Sequence, residues 1–166
     1  RWFEFSEFIK NYYNLKPNVF LGVPEIYDRM YSELKGKKFS FIYNKYFLCS
    51  GSPLSRETGE NFYAVSDIFP CQLYGMMEVS TICVNKKPDQ ETLTSVGKQI
   101  SDIEIRYKPT ERSGYYEILI RGETVSQYYV INGEKVPAVD NEGWYYTKDI
   151  GFIKDENLYL VGRKEK

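Results

Sequence analysis

The segment Tyr74–Ser80 contains residues that could contact a ligand and do chemistry, in the order YGMMEVS. It follows an apolar run that predicts a strand, and open parallel sheets bind ligands at the carboxyl ends of their strands. The ring of Tyr74 could stack on a base, Gly75 permits close approach, and the carboxylate of Glu78 could bind a hard cation. The alternative is that Tyr74 belongs to the core and that Glu78 is a solvated carboxylate at a helix start.

The segment Ser50–Ser55 has the sequence SGSPLS and lies between a predicted strand and a predicted helix. Its small residues would let backbone amides approach a flat or anionic ligand closely. The segment lacks the spacing of either glycine-rich phosphate fingerprint, so an ordinary strand-to-helix turn is the alternative.

Two further groups lie in the last part of the chain. Asp149 ends a predicted strand within DNEGWYYTKDIGFI, where it could accept hydrogen bonds from vicinal hydroxyls, although an Asp there more often starts a turn. Arg163, within GRKEK, could pair with an anion. The alternative for Arg163 is a solvated basic tail.

The composition of the 166-residue chain excludes several classes of protein. There is no histidine, which excludes Ser-His-Asp triads and HExxH zinc sites supplied by this chain. The formal net charge of −1 gives no electrostatic basis for binding nucleic acid or an anionic membrane. No apolar run approaches the ~20 residues of a transmembrane segment. Three cysteines without a CxxC pair indicate a reducing compartment, and we expect a cytoplasmic location.

The elements that position these residues change character near residue 80. Before it, apolar runs at Val19–Leu21, Tyr46–Cys49 and Phe69–Tyr74 predict strands that alternate with helices, as in a mostly parallel sheet. The first run is expected to be a buried strand. The helices are expected over Trp2–Tyr13, from Pro24 onward, and after Ser55 as N-cap.

After residue 80 the apolar residues alternate with polar ones, which is typical of antiparallel strands. The strand candidates are Ile103–Tyr107, Glu117–Arg121, Trp144–Tyr146, Ile150–Ile153 and Leu158–Val161. We therefore predict an α/β fold, in which the end of a mostly parallel α/β layer (residues 1–85) is followed by a small antiparallel, β-barrel-like subdomain (residues 86–166).

Taken together and in order, these segments resemble the adenylate-forming superfamily, which contains acyl-CoA synthetases and nonribosomal-peptide adenylation domains. The resemblance rests on VPEIYDRMY, SGSPLS, YGMME, SVGKQI, EILIRGETVSQYY, EGWYYTKDIGFI and VGRKEK. It implies that the chain corresponds to the last part of the large AMP-binding domain and ends at an interdomain hinge. The phosphate loop with its Lys and the C-terminal domain, with a second Lys, are expected outside this stretch.

The resemblance also implies roles for individual residues. Gly51, Ser52 and Pro53 would line the adenine site with backbone. Tyr74, next to Gly75, would stack on adenine, and Glu78 would bind Mg²⁺ and so act directly in catalysis. Asp149 would accept both ribose hydroxyls, Arg163 would contact ribose or phosphate, and Glu165 would be the hinge residue; Gly97 would help to shape the acyl pocket.

The sequence departs from the family pattern at three of these positions. Met77 replaces the Thr that binds the AMP phosphate, Lys148 replaces a Gly, and Glu165 replaces the usual Asp or Lys of the hinge. A thioether cannot donate the hydrogen bond that Thr would supply. These departures leave open a slow, divergent or degenerate enzyme.

The expected function is that of an acid–thiol ligase of the acyl-CoA synthetase type, which acts on fatty or other apolar carboxylic acids. It would use Mg²⁺-ATP to form acyl-AMP, then transfer the acyl group to coenzyme A. The alternatives are an adenylation domain that loads a carrier protein through its pantetheine arm, and a non-catalytic nucleotide-binding module. The 166-residue chain alone is expected to be inactive, because its partners include the missing domains of the same protein.

Overall fold

The structure is a computed structural model, and it describes residues 4–37, 39–100 and 102–164. Within these ranges the helices are α1 (Phe5–Leu15), α2 (Pro24–Leu34) and α3 (Arg56–Ser66). The strands are β1 (Val19–Gly22), β2 (Tyr46–Cys49), β3 (Cys71–Met76), β4 (Ser80–Val84), β5 (Lys98–Gln99), β6 (Glu104–Pro109), β7 (Tyr116–Arg121), β8 (Tyr128–Ile131), β9 (Glu134–Pro137), β10 (Tyr145–Lys154) and β11 (Asn157–Arg163).

The chain divides into two compact units. The first comprises Arg1–Leu73 and Asn85–Thr94, and the second comprises Tyr74–Val84 and Ser95–Lys166. Strand β3 begins in the first unit and ends in the second. The boundary predicted at residues 85/86, between an α/β part and a β-rich subdomain, stays a prediction.

The first unit is the predicted parallel α/β layer. Strand β1 pairs in parallel with β2, and β2 pairs in parallel with the start of β3, which confirms the parallel sheet. Helix α2 begins at Pro24, as predicted from the fixed φ of proline at a first helical position. Helix α3 follows Ser55, whose hydroxyl oxygen accepts a hydrogen bond from the backbone N–H of Thr58, so the predicted N-cap is confirmed.

The core of the first unit is built from aromatic rings. Phe47 on β2 is fully buried, and its ring lies 4.9 Å from that of Phe41 and 5.0 Å from that of Phe62, centroid to centroid. Strand β1 contributes Phe20 to this cluster, but Val19 and Leu21 on its other face are 50% and 62% exposed. The prediction that β1 is a buried strand is therefore wrong, because only one face of the strand packs on the core.

The second unit contains the predicted antiparallel strands. Strands β11, β10, β7 and β6 form a four-stranded sheet in that order, and β8 pairs with β9 in a separate hairpin. The strands that the structure describes do not close into a barrel, which corrects the barrel-like description. The two strands predicted at Trp144–Tyr146 and Ile150–Ile153 are one long strand, β10, whose register shifts between Tyr146 and Ile150.

The hairpin β8–β9 was missed in the sequence, although it carries a recognisable signal. Asn132 and Gly133 connect the two strands, and both have positive φ, at 54° and 85°. Asn-Gly between apolar residues is a strong signal for a two-residue turn, because both central residues of the type I′ turn require positive φ. The strands on either side of this turn were not predicted, because their exposed valine and tyrosine residues do not alternate between apolar and polar.

None of the helices in the described ranges is long and apolar enough to cross a membrane. The three cysteines are buried and free, as expected for small apolar side chains in a core. Burial raises the pKa of the Cys49 and Cys83 thiols to about 12, so both are unreactive thiols at neutral pH.

Candidate functional site

Asp149 is the centre of a hydrogen-bonded cluster in the second unit. The hydroxyl of Tyr74 donates to its Oδ2 atom at 2.6 Å, and Nε of Arg163 donates to its Oδ1 atom at 2.8 Å. Asp149 is 8% exposed and Tyr74 is 6% exposed. The structure therefore brings together three residues from three separate sequence motifs, the first of them 75 residues from Asp149 along the chain.

The local structure of β10 determines where Asp149 points. Lys148 has a φ of 63°, in the left-handed region, where the register of the strand shifts. The hydroxyl of Thr147 donates to the carbonyl oxygen of Ile118 and accepts from the backbone N–H of Asp149, so the bulge is held on both sides. Asp149 then lies directly opposite Arg163 in the β10–β11 ladder, which brings their side chains together.

The carboxylate of Asp149 accepts from two donors, Tyr74 and Arg163, and it changes the pKa values of both. Burial raises the pKa of Tyr74 far above its usual value, and the Asp149 carboxylate raises it further. The same carboxylate raises the pKa of Arg163, so at neutral pH the phenol stays protonated and the guanidinium stays charged. An ionised carboxylate has about four lone-pair positions, and Tyr74 and Arg163 occupy two of them. Asp149 thus keeps capacity to accept from two hydroxyl groups.

Glu78 and Met77 lie in the turn between β3 and β4. The side chain of Met77 is 99% exposed. A Cβ atom on Gly75 would collide with the carbonyl oxygen of Ser80, so Gly75 is required for the close approach of β4 to β3. Gly75 was expected to permit the close approach of a ligand, and in the structure the approaching group is the backbone of this chain.

The carboxylate of Glu78 has a phenol partner that the sequence analysis did not single out. The hydroxyl of Tyr129, on β8, donates to Oε1 of Glu78 at 3.0 Å, and the hydroxyl of Tyr145 lies 2.9 Å from that of Tyr129. Partial burial raises the pKa of Glu78, but backbone and phenol hydrogen bonds outweigh it and leave the pKa below its usual value. The carboxylate is therefore ionised at neutral pH.

The predicted adenine-site segment lies in the first unit. Gly51 has a φ of +90°, which favours glycine, and both Ser52 and Pro53 are exposed. Gly51 borders a cavity of about 460 Å³ at the carboxyl ends of β1 and β2, lined by Leu21, Gly22, Val23, Ile26, Ser50 and Gly51. This end of a parallel sheet is the usual location of a ligand site.

The last predicted residue, Glu165, lies outside the described residues. Its neighbour Lys164 places its Nζ atom 3.2 Å from Oε2 of Glu117, a carboxylate that is 4% exposed. No feature of the sequence singles out Glu117, because one Glu within an alternating strand is indistinguishable from a solvent-facing residue. Gly97 forms an isolated bridge with Leu158 in the second unit.

Comparison with known proteins identifies the family. Residues 3–130 match the model of the AMP-binding enzyme family. A long-chain-fatty-acid–CoA ligase of Xenopus laevis is 36% identical over 115 residues, which cover 68% of this chain and 15% of that protein. A mitochondrial acyl-coenzyme A synthetase of Rattus norvegicus is 28% identical over 155 residues, which cover 87% of this chain and 27% of that protein.

The fold also has a close counterpart among solved structures. A long-chain-fatty-acid–CoA ligase of Archaeoglobus fulgidus superimposes with a TM-score of 0.80 over 98% of this chain and 37% of that protein, at 23% sequence identity. The chain thus spans about a quarter or less of the two curated relatives and about a third of this structure. With a family match over most of its length and the same fold, the chain belongs to the AMP-binding enzyme family.

Proposed function

We propose that the complete protein containing this chain is an ATP-dependent acid–thiol ligase of the acyl-CoA synthetase type. Its reaction has two steps: a carboxylate attacks the α-phosphorus of ATP to give acyl-AMP and pyrophosphate, and a thiol then takes the acyl group and releases AMP. Membership of the AMP-binding enzyme family supports this proposal, as do the names of the curated relatives.

The observation that carries the proposal is the cluster around Asp149. Its carboxylate accepts from two donors, Tyr74 and Arg163, and keeps further acceptor capacity, which suits it to accept the two vicinal hydroxyls of a ribose. Arg163 lies next to it with a side chain that is 69% exposed, so its guanidinium can reach a ribose or phosphate oxygen. From the family resemblance we propose an adenine-binding role for Tyr74 and, separately, for the backbone of Gly51–Pro53.

Glu78 is the residue that we propose holds the Mg²⁺ of the nucleotide. In the described ranges no three acidic or thiol side chains come together as a metal-binding group. We propose that Glu78 is the one carboxylate that this chain contributes to the ion. That fits Mg²⁺, which is usually bound through one or two carboxylates together with substrate phosphates and waters. When bound, the ion would neutralise charge that develops on the phosphates.

We propose that the acid is a fatty or other apolar carboxylic acid and that coenzyme A is the thiol. The named activity of the Xenopus protein supports the choice of acid. A carrier protein is the alternative acceptor. A cytoplasmic location is proposed from the three free, buried cysteines.

The second candidate is a nucleotide-binding module without catalysis, and Met77 is the observation that favours it. Its fully exposed thioether occupies the position where the family resemblance places a phosphate-binding Thr. A lost hydrogen bond to a charged group costs about 1.5–3 kcal/mol. That corresponds to about a ten- to hundredfold loss in affinity or rate, which is large but need not abolish activity.

The test is ATP–pyrophosphate exchange by the complete protein with Mg²⁺ and acids of increasing chain length. We expect exchange that depends on an apolar acid, followed by thioester formation with coenzyme A. ATP binding without exchange for any acid would instead support the non-catalytic module. The 166-residue chain alone is expected to show no exchange above background.

A further inference from the structure

Two tyrosines form a hydrogen-bonded relay that ends on Glu78. The hydroxyl of Tyr129 lies 3.0 Å from Oε1 of Glu78 and 2.9 Å from the hydroxyl of Tyr145. The three residues come from different elements: the β3–β4 turn, the β8–β9 hairpin and strand β10. The family resemblance assigned no role to either tyrosine.

The direction of the relay follows from the chemistry of the groups. A phenol carries one O–H donor, and an ionised carboxylate can only accept. Since the hydrogen of Tyr129 points to Glu78, the hydrogen between the two phenols must come from Tyr145. Both donors are therefore oriented toward the carboxylate, and each bond polarises the next.

The segment just before the hairpin forms a hydrogen bond with the backbone of Glu78. The backbone N–H of Ser126, just before β8, donates to the carbonyl oxygen of Glu78 at 2.7 Å. All four residues of β8 and all four of β9 are exposed, so the hairpin contributes little to the core of the second unit. The hydrogen bond from Tyr129 to Glu78 is therefore a specific contact made by a hairpin that is otherwise exposed to solvent.

We propose that Tyr129 and Tyr145 are positioning residues that fix the orientation of the Glu78 carboxylate for binding of the nucleotide's divalent cation. This inference rests on the proposed function, in which Glu78 is the cation ligand. A Glu side chain has several rotatable bonds, and in this half-buried turn it would otherwise sample several rotamers. Outer partners that orient a metal ligand typically change metal affinity by about ten- to a hundredfold when they are removed.

The experiment measures the binding of Mn²⁺ to the complete protein saturated with ATP, by electron paramagnetic resonance of the free ion. The variants are Glu78→Gln, Tyr129→Phe and Tyr145→Phe. The matched control is Tyr128→Phe, because Tyr128 precedes Tyr129 on β8, faces the opposite side of the strand and is 46% exposed. ATP affinity without metal and the thermal midpoint are measured for each variant.

We expect Tyr129→Phe to weaken Mn²⁺ binding about tenfold or more. Tyr145→Phe should have a smaller effect in the same direction, because it acts through Tyr129. Tyr128→Phe should have none, and metal-free ATP affinity and the thermal midpoint should be unchanged in the three tyrosine variants. If Glu78→Gln weakens Mn²⁺ binding and Tyr129→Phe does not, the relay has no positioning role while the proposed function stands. If Glu78→Gln has no effect either, Glu78 is not the ligand and both proposals are wrong at this site.

Discussion

The two units of the chain bury different kinds of side chains. In the first unit the core is a cluster of aromatic rings, and the phenol of Tyr27 inside it donates to the carbonyl oxygen of Leu48 at 2.6 Å. In the second unit two carboxylates are buried, those of Glu117 and Asp149, and each has a cationic partner near the end of the described chain.

Burial has opposite energetic consequences for these two kinds of side chain. Buried rings gain free energy from the removal of apolar surface from water. Burial of an ion pair costs desolvation energy, and apolar replacements are often neutral or more stabilising. The core of the first unit is therefore explained by packing, whereas packing alone does not favour the buried carboxylates of the second unit.

The largest effect is expected when a cavity is made in the aromatic core of the first unit. Phe47→Ala removes a fully buried ring from the centre of the aromatic cluster, so we expect a loss of about 3–5 kcal/mol in the free energy of unfolding. Urea unfolding measures it. Tyr46→Ala, on the same strand but half exposed, is the control and should cost far less. Equal losses would show that the cluster is not the main source of stability.

The second prediction concerns ligand binding by the second unit. Asp149→Ala removes the acceptor proposed for the ribose hydroxyls, so ATP binding by the complete protein should weaken about ten- to a hundredfold, or ~1.5–3 kcal/mol. Calorimetric titration with ATP measures it. Asp155→Asn, in the exposed β10–β11 turn, is the control and should bind ATP normally. Unchanged affinity of Asp149→Ala would mean that Asp149 only supports the bulge.

The third prediction concerns the rate of the first chemical step. Met77→Thr adds a hydroxyl donor at the position proposed to face the α-phosphate, where developing charge makes a preorganised donor most effective. We expect a several-fold faster single-turnover formation of acyl-AMP, with little change in the affinity for the acid. If an active wild-type protein is unaffected or slowed by the change, other groups supply the phosphate contacts.

The smallest effect is expected from the strained residue of β10. Lys148 has a φ of 63°, a conformation that costs an L residue about 1–2 kcal/mol and glycine almost nothing. Glycine loses more chain entropy on folding, by about 0.5–1 kcal/mol, so Lys148→Gly should raise the free energy of unfolding by about 1 kcal/mol or less. Lys154→Gly, at the end of the same strand, should instead lower it. A loss of stability in Lys148→Gly would show that the Lys side chain makes a compensating contact.

The fold was predictable where a local pattern decides the structure. The second strand was predicted at Tyr46–Cys49 and is found there, because a short apolar run with turn residues on both sides has few alternatives. Ser55 was predicted as the N-cap and caps α3. The register shift at Lys148 was not predictable from the residue itself, since a lysine rarely adopts positive φ. As a result, β10 was read as two strands. The one indication of the shift was the Gly that the family pattern has at the position of Lys148.

The sequence by itself determined the residue types and the order of the motifs: Tyr74, Asp149 and Arg163, and with them the resemblance to the family. Tertiary structure decided which of these side chains meet and what supports them. The register of β10 against β11 sets Asp149 opposite Arg163, and the β8–β9 hairpin brings Tyr129 to Glu78 from 51 residues away. Such contacts depend on long-range strand pairing, which is set by packing of the whole unit and leaves no local pattern in the chain.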